Sequence, residues 1–247
     1  MTTLISAYAQ SDFFGKLIFL GLFSLSIICW IVLIHKIWMT RKVKKIAPLF
    51  YTTLEKNRDR LLALELTDLP RTQAGEAPHP LTVLFLSLKH KTVEVLNKNH
   101  FFAAEAAKTN KTSRVDVYLS PADLELVESH GLMAISSQMK KMEKNVFVLS
   151  TIVTLAPFLG LLGTVWGILI TFSALQGGAS ANSNSVILGG LSTALVTTVL
   201  GLVIAIPALV AYNYLRNTLK DLSSDMEDFL YLALSTLELQ YRKVDLE

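Results

Sequence analysis

An all-α integral membrane protein with three transmembrane helices is the fold class this sequence predicts, and three observations predict it. Residues 146–175 and residues 186–215 contain no Asp, Glu, Lys, Arg or His. As helices, at about 1.5 Å per residue, each would be about 45 Å long, against a hydrocarbon core of roughly 30 Å. A third apolar run, residues 17–34, is followed by His35, Lys36 and the basic residues Arg41, Lys42, Lys44 and Lys45. Over the whole chain of 247 residues 51% are hydrophobic and the mean hydropathy is +0.44, more apolar surface than a soluble core accounts for.

The first run is expected to stay in the membrane. A secretory signal peptide carries positive charge before its apolar stretch and small residues at a cleavage site after it, and neither is present. The 23 Lys and Arg divide as 1 before the first span, 18 in residues 36–145, none in 176–185 and 4 in 216–247. Basic residues are retained on the cytoplasmic side, so three spans with this split predict an outside N-terminus and a cytoplasmic C-terminus. Asp and Glu number 12 in the loop and 7 in the tail, leaving loop and tail with opposite net charge and a mutual attraction if they meet. The net charge of +3 is too small to point to nucleic acid.

The expected organisation is an N-terminal segment with helix 1 (residues 1–38), a cytoplasmic helical loop (39–145), helix 2 (146–175), a short uncharged outer loop (176–185), helix 3 (186–215) and a cytoplasmic helical tail (216–247). Within the loop, residues 46–66 and 81–107 read as helices around a Pro-rich break at 70–80, and residues 109–119 read as irregular. Ser120, Pro121 and Asp123 form a helix start, with Ser at the N-cap, Pro at the first position and an acid at the third. From there the apolar spacing runs through Met142 and Val146, predicting one unbroken helix over residues 121–175 in which Pro157 makes a kink. The tail keeps its helical period to about Gln240. It would serve either as part of a cytoplasmic bundle or as a solvated amphipathic helix resting on the loop.

Helices 2 and 3 carry a distinctive face. On a wheel of 100° per residue Gly190, Thr193, Ala194, Thr197, Thr198, Gly201, Ala205 and Ala208 fall within an arc of about 140°, and Pro207 lies in the same span. In helix 2 Pro157, Gly160, Thr164, Gly167 and Thr171 align in the same way, and Gly163 with Gly167 makes a GxxxG. Small residues let membrane helices approach closely. Hydroxyls on such a face also suit the edge of a wet pathway, where polar groups are tolerated because they line a cavity. Both uses stay open.

The chemistry the sequence lacks is equally specific. Cys29 is the only cysteine, so it forms no disulfide within the chain and is expected to pack in helix 1. His35, His79, His90, His100 and His130 show no metal-ligand spacing and read as surface or interfacial residues. No GxxxxGK[ST] phosphate loop occurs, no cofactor motif stands out, and no catalytic constellation points to an enzyme. An ion gradient is then the remaining energy source, yet spans 2 and 3 hold no group that can titrate.

Residues 156–168, APFLGLLGTVWGI, and 189–213, GGLSTALVTTVLGLVIAIPALVAYN, resemble the paired signature of the ExbB/TolQ/MotA proton-channel family, and its TolQ and ExbB branches most. The resemblance implies a bacterial inner-membrane protein that assembles as a ring-forming homo-oligomer, a pentamer, with Thr164 and Thr198 at the positions of the family's pore-lining threonines. It implies a single-span TolR/ExbD-like partner bringing a membrane Asp into the ring, and a TolA/TonB-like transducer that carries force to the envelope. Thr193 departs from the pattern, standing where many relatives carry a Glu. Beside this motor stand two other readings: a scaffold that holds partner helices without conducting, and a self-contained channel, which the absence of charge from the spans and outer loop makes the poorer.

Overall fold

The computed structural model describes residues 5, 7–9, 11–65, 69–70, 78–110, 118–176 and 183–241. Among the described residues the long α-helices are α1 (Phe13–Lys56), α2 (Pro80–Asn110), α3 (Pro121–Glu143), α4 (Val146–Gln176) and α5 (Ser183–Tyr241), with a 3-10 turn at Arg58–Ala63 and helical residues also before α1, at 5 and 7–9. No strand occurs among the described residues. Three helices, α1, α4 and α5, are long and apolar enough to cross a membrane. The expected outer loop, the Pro-rich break and the irregular stretch before Ser120 fall largely outside the described residues.

Two helix boundaries differ from expectation, for one physical reason each. The separate helix read over residues 46–66 is instead the end of α1, which runs unbroken for 44 residues with Pro48 inside it. Val43, Ala47, Phe50 and Leu54 are all buried, so one apolar stripe continues past the basic cluster and outweighs the bond that Pro48 cannot donate. The reverse happens at residues 144–145, where the helix expected to be continuous over 121–175 divides into α3 and α4. Asn145 has φ of 70°, the left-handed conformation that ends helices and that Asn tolerates better than most residues. Val148 N–H then bonds the Asn145 carbonyl at 3.2 Å to begin α4. The helices that continue far beyond a membrane span are therefore α1 and α5, not α4.

The chain forms two compact units. The first comprises Met1–Trp38 and Lys144–Asn217. Its core joins Ile18, Leu22 and Cys29 of α1, Leu149, Ile152 and Ala156 of α4, and Ala205, Ala208 and Leu215 of α5. Cys29 packs as expected and is unpaired. Many large residues on the outer faces, among them Phe23, Trp30, Phe158, Leu195 and Val203, stay exposed, as suits helices whose surroundings are apolar.

The second unit comprises Met39–Glu143 and Thr218–Glu247. Leu222, Met226, Phe229, Leu230 and Leu237 of α5 are buried in it together with Leu84 and Leu88 of α2 and Val127 and Ile135 of α3. The tail is thus a packed member of a helical bundle. At Gly131 of α3 the methyl groups of Leu88 and Leu230 come so near that an added Cβ would meet both. Ser120 and Asp123 form the expected cap reciprocally: Asp123 N–H donates to Ser120 Oγ at 3.2 Å and Ser120 N–H donates to the Asp123 carboxylate at 2.9 Å. Leu119 N–H bonds the Tyr241 carbonyl at 3.0 Å, tying the end of α5 to the start of α3. The opposite charges of loop and tail meet in one exposed pair, Lys44–Asp221 at 3.0 Å, which contributes little.

Of the two places the sequence left open for His79, surface or interface, the structure shows the second: it is packed against α1 and 2% exposed. Its ring stacks on Phe50 with centroids 4.8 Å apart. Nε2 lies 3.1 Å from the Val43 carbonyl, while Leu81 N–H points to Nδ1 at 3.2 Å. The neutral ring satisfies both, donating through Nε2 and accepting at Nδ1, whereas a second proton on Nδ1 would oppose the Leu81 N–H. Burial lowers the His79 pKa, against the raising effect of the Val43 bond. A histidine whose folded pKa is depressed contributes stability above its unfolded pKa, near 6.5, and loses it as pH falls from there towards the folded value. Thermal unfolding of the second unit is therefore expected to shift downwards as pH is lowered through about 6.5, and a His79→Gln variant to flatten that dependence; an equally steep profile in the variant would assign it elsewhere.

Candidate functional site

In the first unit α4 and α5 lie against each other through their small faces. A methyl group at Gly201 would sit 2.6 Å from the Ala156 carbonyl oxygen and 3.2 Å from Gly160 Cα. One at Gly160 would sit 3.0 Å from the Thr197 carbonyl oxygen and 3.1 Å from Thr198 Cα, and one at Gly163 would collide with the Thr197 side chain. Towards the Gln176 end, Gly167 faces Ala194 and Gly190 faces Thr171. At Gly160 and Gly201 these are backbone-to-backbone approaches that only residues without side chains allow. Pro157 and Pro207 both lie inside their helices without ending them.

The five threonines singled out by sequence are separated by this packing. Thr197 is fully buried between the helices, donating to the Ala194 carbonyl at 2.8 Å, with the Gly160 carbonyl at 3.4 Å. Thr193 is also buried and donates to the Ala7 carbonyl at 3.3 Å, so it faces the N-terminal segment. Thr198 is half-buried and reaches the Gly160 carbonyl at 3.1 Å. Thr164 and Thr171 are half-buried as well and bond carbonyls of their own helix, Leu161 at 2.6 Å and Gly167 at 2.8 Å. Part of the small face is thus spent on closing α4 against α5, and Thr164, Thr198 and Thr171 stay half-exposed.

Sequence reasoning missed what covers Thr193. Asp12 caps α1, accepting from Gly15 N–H at 2.9 Å and Phe14 N–H at 3.4 Å. Its other contact is Trp166 Nε1–H of α4 at 3.0 Å, with the Phe14 and Trp166 rings 4.4 Å apart beside it. Ser11, Asp12, Gly163, Trp166, Thr193 and Thr197 line a cavity of about 30 Å³, room for a water molecule. The available signal was the sequence DFFG, an Asp at N-cap position immediately before the first apolar run. Among the described residues no group of His, Cys, Asp and Glu could hold a metal ion.

The chain matches the model of the MotA/TolQ/ExbB proton channel family over residues 98–228, more than half its length and including the α4–α5 contact. It belongs to that family. Among its relatives, the Tol-Pal system protein TolQ of Pseudomonas aeruginosa is 30% identical over 213 residues, covering 86% of this chain and 82% of that one. TolQ of Haemophilus influenzae is 37% identical over 98 residues, 40% of this chain and 42% of the relative. The biopolymer transport protein ExbB of Pseudomonas putida is 28% identical over 222 residues, 90% of this chain but 59% of the relative. The chain thus spans less than half of the Haemophilus protein and about three fifths of the P. putida protein in these matches. The family expected from the two apolar signatures is the one found, and the membership covers both.

The glycine contacts give a test within the chain. Gly201→Ala is expected to lose about 1–3 kcal/mol of stability, because the added methyl meets a backbone carbonyl that no rotamer change can move. Gly21→Ala in α1, where a Cβ meets nothing within 4 Å, is the control and should unfold as wild type does. Equal thermal stability of the two variants in detergent would show that α4 and α5 do not rely on this approach.

Proposed function

We propose that the chain is a proton-motive-force-driven motor subunit of the bacterial inner membrane, TolQ-like before ExbB-like. Several copies, five by family resemblance, surround a single-span TolR/ExbD-like helix whose membrane Asp supplies the carboxylate that α4 and α5 lack. Proton flow through that assembly moves the partner, and a TolA/TonB-like transducer carries the force across the envelope. The N-terminus faces the periplasm and the C-terminus the cytoplasm, following the basic residues.

The observation that carries this reading is the division of the small face in a chain of a proton-channel family. α4 and α5 close on each other through glycine, and Thr164 and Thr198 are left half-exposed, available to water or to a partner's carboxylate. Thr193 and Thr197 act behind them, holding the subunit together, with Thr171 nearer the outer helix ends. Pro157, Gly160, Gly163, Gly167, Gly190, Gly201 and Pro207 are assigned to packing and helix shape. One observation favours the second reading, a non-conducting scaffold: all five threonine hydroxyls already have carbonyl acceptors inside the subunit.

Two measurements test the proposal. With the purified complex reconstituted in liposomes, Thr164→Val and Thr198→Val should each lower proton flux about tenfold or more, since a hydroxyl bonded to a charged group is worth about 1.5–3 kcal/mol, while partner copurification persists. No flux from the wild-type complex would select the scaffold. For orientation, with Cys29 first replaced, a cysteine at Ser180 should react with an impermeant thiol reagent applied from the periplasmic side and one at Ser113 should not; labelling of Ser113 would reverse the topology.

A further inference from the structure

One face of the membrane unit carries an opening that the proposed function does not use. Phe19, Leu20, Phe23 and Ser26 of α1, with Val203 and Ile204 of α5, line an open apolar groove of about 490 Å³. Leu20, Phe23 and Val203 are exposed, whereas Phe19 is buried in the wall. Tyr8 of the N-terminal segment lines the groove as well, its ring edge-on to Phe19 with centroids 5.9 Å apart.

A single charge stands at the mouth of this groove. Positions 16, 19, 20, 23 and 26 follow one face of a helix, so Lys16 continues the lining stripe by one turn towards the N-terminus. Helical side chains lean towards the N-terminus, and a lysine packs its stem along apolar surface while its ammonium reaches the polar boundary. Lys16 is half-buried and, among the described residues, forms no ion pair. It is also the only Lys or Arg in residues 1–35, on the side of the spans that is otherwise free of basic residues.

The dimensions and the charge select the occupant. From Lys16 to Ser26 is about 15 Å of helix, half of the roughly 30 Å hydrocarbon core and so the depth of one leaflet. With a methylene taking about the room of a water, roughly 30 Å³, the groove holds an apolar chain on the order of sixteen carbons long. A second copy of the chain fits less well, because residues 146–175 and 186–215 hold no acid to meet Lys16. Asp12, the one Asp or Glu in residues 1–54, already accepts from Gly15, Phe14 and Trp166. A phosphate supplies the missing anion.

We propose that this groove binds one acyl chain of an anionic phospholipid from the leaflet at the N-terminal end of α1, with Lys16 holding the phosphate. Tyr8 then stands at headgroup level, where an aromatic ring with a polar tip is favoured. A zwitterionic headgroup is the weaker ligand, since its own cation opposes Lys16. The site goes beyond the proposed function and does not depend on proton conduction.

Photolabelling tests it. The full-length chain is reconstituted in phosphatidylcholine vesicles containing a phosphatidylglycerol with a diazirine on its acyl chain, irradiated, and the labelled residues are located by mass spectrometry. Label is expected on residues 19–26 and 200–204 at about fivefold the level on other exposed faces, such as those of Phe158 and Leu195, the factor for one Lys beside an anionic lipid. Lys16→Gln should reduce the excess to that given by the same diazirine on phosphatidylcholine. Ser26→Phe, which fills the groove and leaves Lys16 in place, should abolish it while label at Phe158 persists. Uniform label over all exposed faces, equal label from the two lipids, or an excess indifferent to Lys16→Gln overturns the proposal. A groove that neither lipid labels also overturns it and assigns the face to a second copy of the chain. Proton flux is read in neither arm, so the proposed function stands or falls separately.

Discussion

The approach of α4 to α5 at Gly160, Gly163 and Gly201 is the contact on which the rest of the membrane unit depends. In an apolar environment no hydrophobic force drives two apolar helices together, so close packing must come from backbone surfaces fitting directly. Gly201 against the Ala156 carbonyl, and Gly160 against Thr197 and Thr198, provide that fit. Once the helices are so near, Thr197 has no exit and is enclosed, and Thr198 is brought within reach of the Gly160 carbonyl across the interface. The N-terminal segment then covers the remaining opening, with Ala7 accepting from Thr193 and Asp12 accepting from Trp166. Each later contact uses a position that the glycine contact has fixed.

What the sequence made legible was whatever is written locally. The three spans, the Ser120–Asp123 cap, the helical period of the tail and the small faces of α4 and α5 are properties of composition and spacing over a few turns. The destination of the small face was not local. An arc of about 140° is wide enough to serve a neighbouring helix and still leave an edge free, so periodicity could not say which threonines would be enclosed. The distance between Asp12 and Trp166 along the chain, 154 residues, put their meeting beyond any motif. The burial of His79 was not legible for a similar reason, because Phe50 stacks on it only where α1 has continued past Pro48.

Helix continuity shows the same limit from the other side. Apolar residues keep their spacing across Met142, Val146 and Leu149, all buried, so the pattern runs through the point where the backbone turns aside. Asn145 decides it through conformation, not hydrophobicity. At Pro48 the pattern wins and the helix persists. The result is that α1 and α5 each contribute residues to both compact units, whereas α4 belongs to one.

The hydrogen bonds of the threonines bear on which of them can serve a moving carboxylate. A neutral bond from a threonine to a backbone carbonyl contributes about 0.5–1.5 kcal/mol net, whereas a bond to a charged acceptor contributes about 1.5–3 kcal/mol. A carboxylate that comes within reach therefore outcompetes the carbonyl, provided the hydroxyl can rotate out to meet it. Thr197, fully buried beneath Gly163, cannot. Thr193 can do so only by releasing Ala7 and uncovering the groove. Thr164 and Thr198 are half-exposed and bonded to Leu161 and Gly160, so for them the exchange costs a weak bond and gains a stronger one without moving either helix. Under the proposed function, the internal bonds that favour a scaffold in the isolated chain would be the resting state of Thr164 and Thr198, the two hydroxyls with access to a partner's acid.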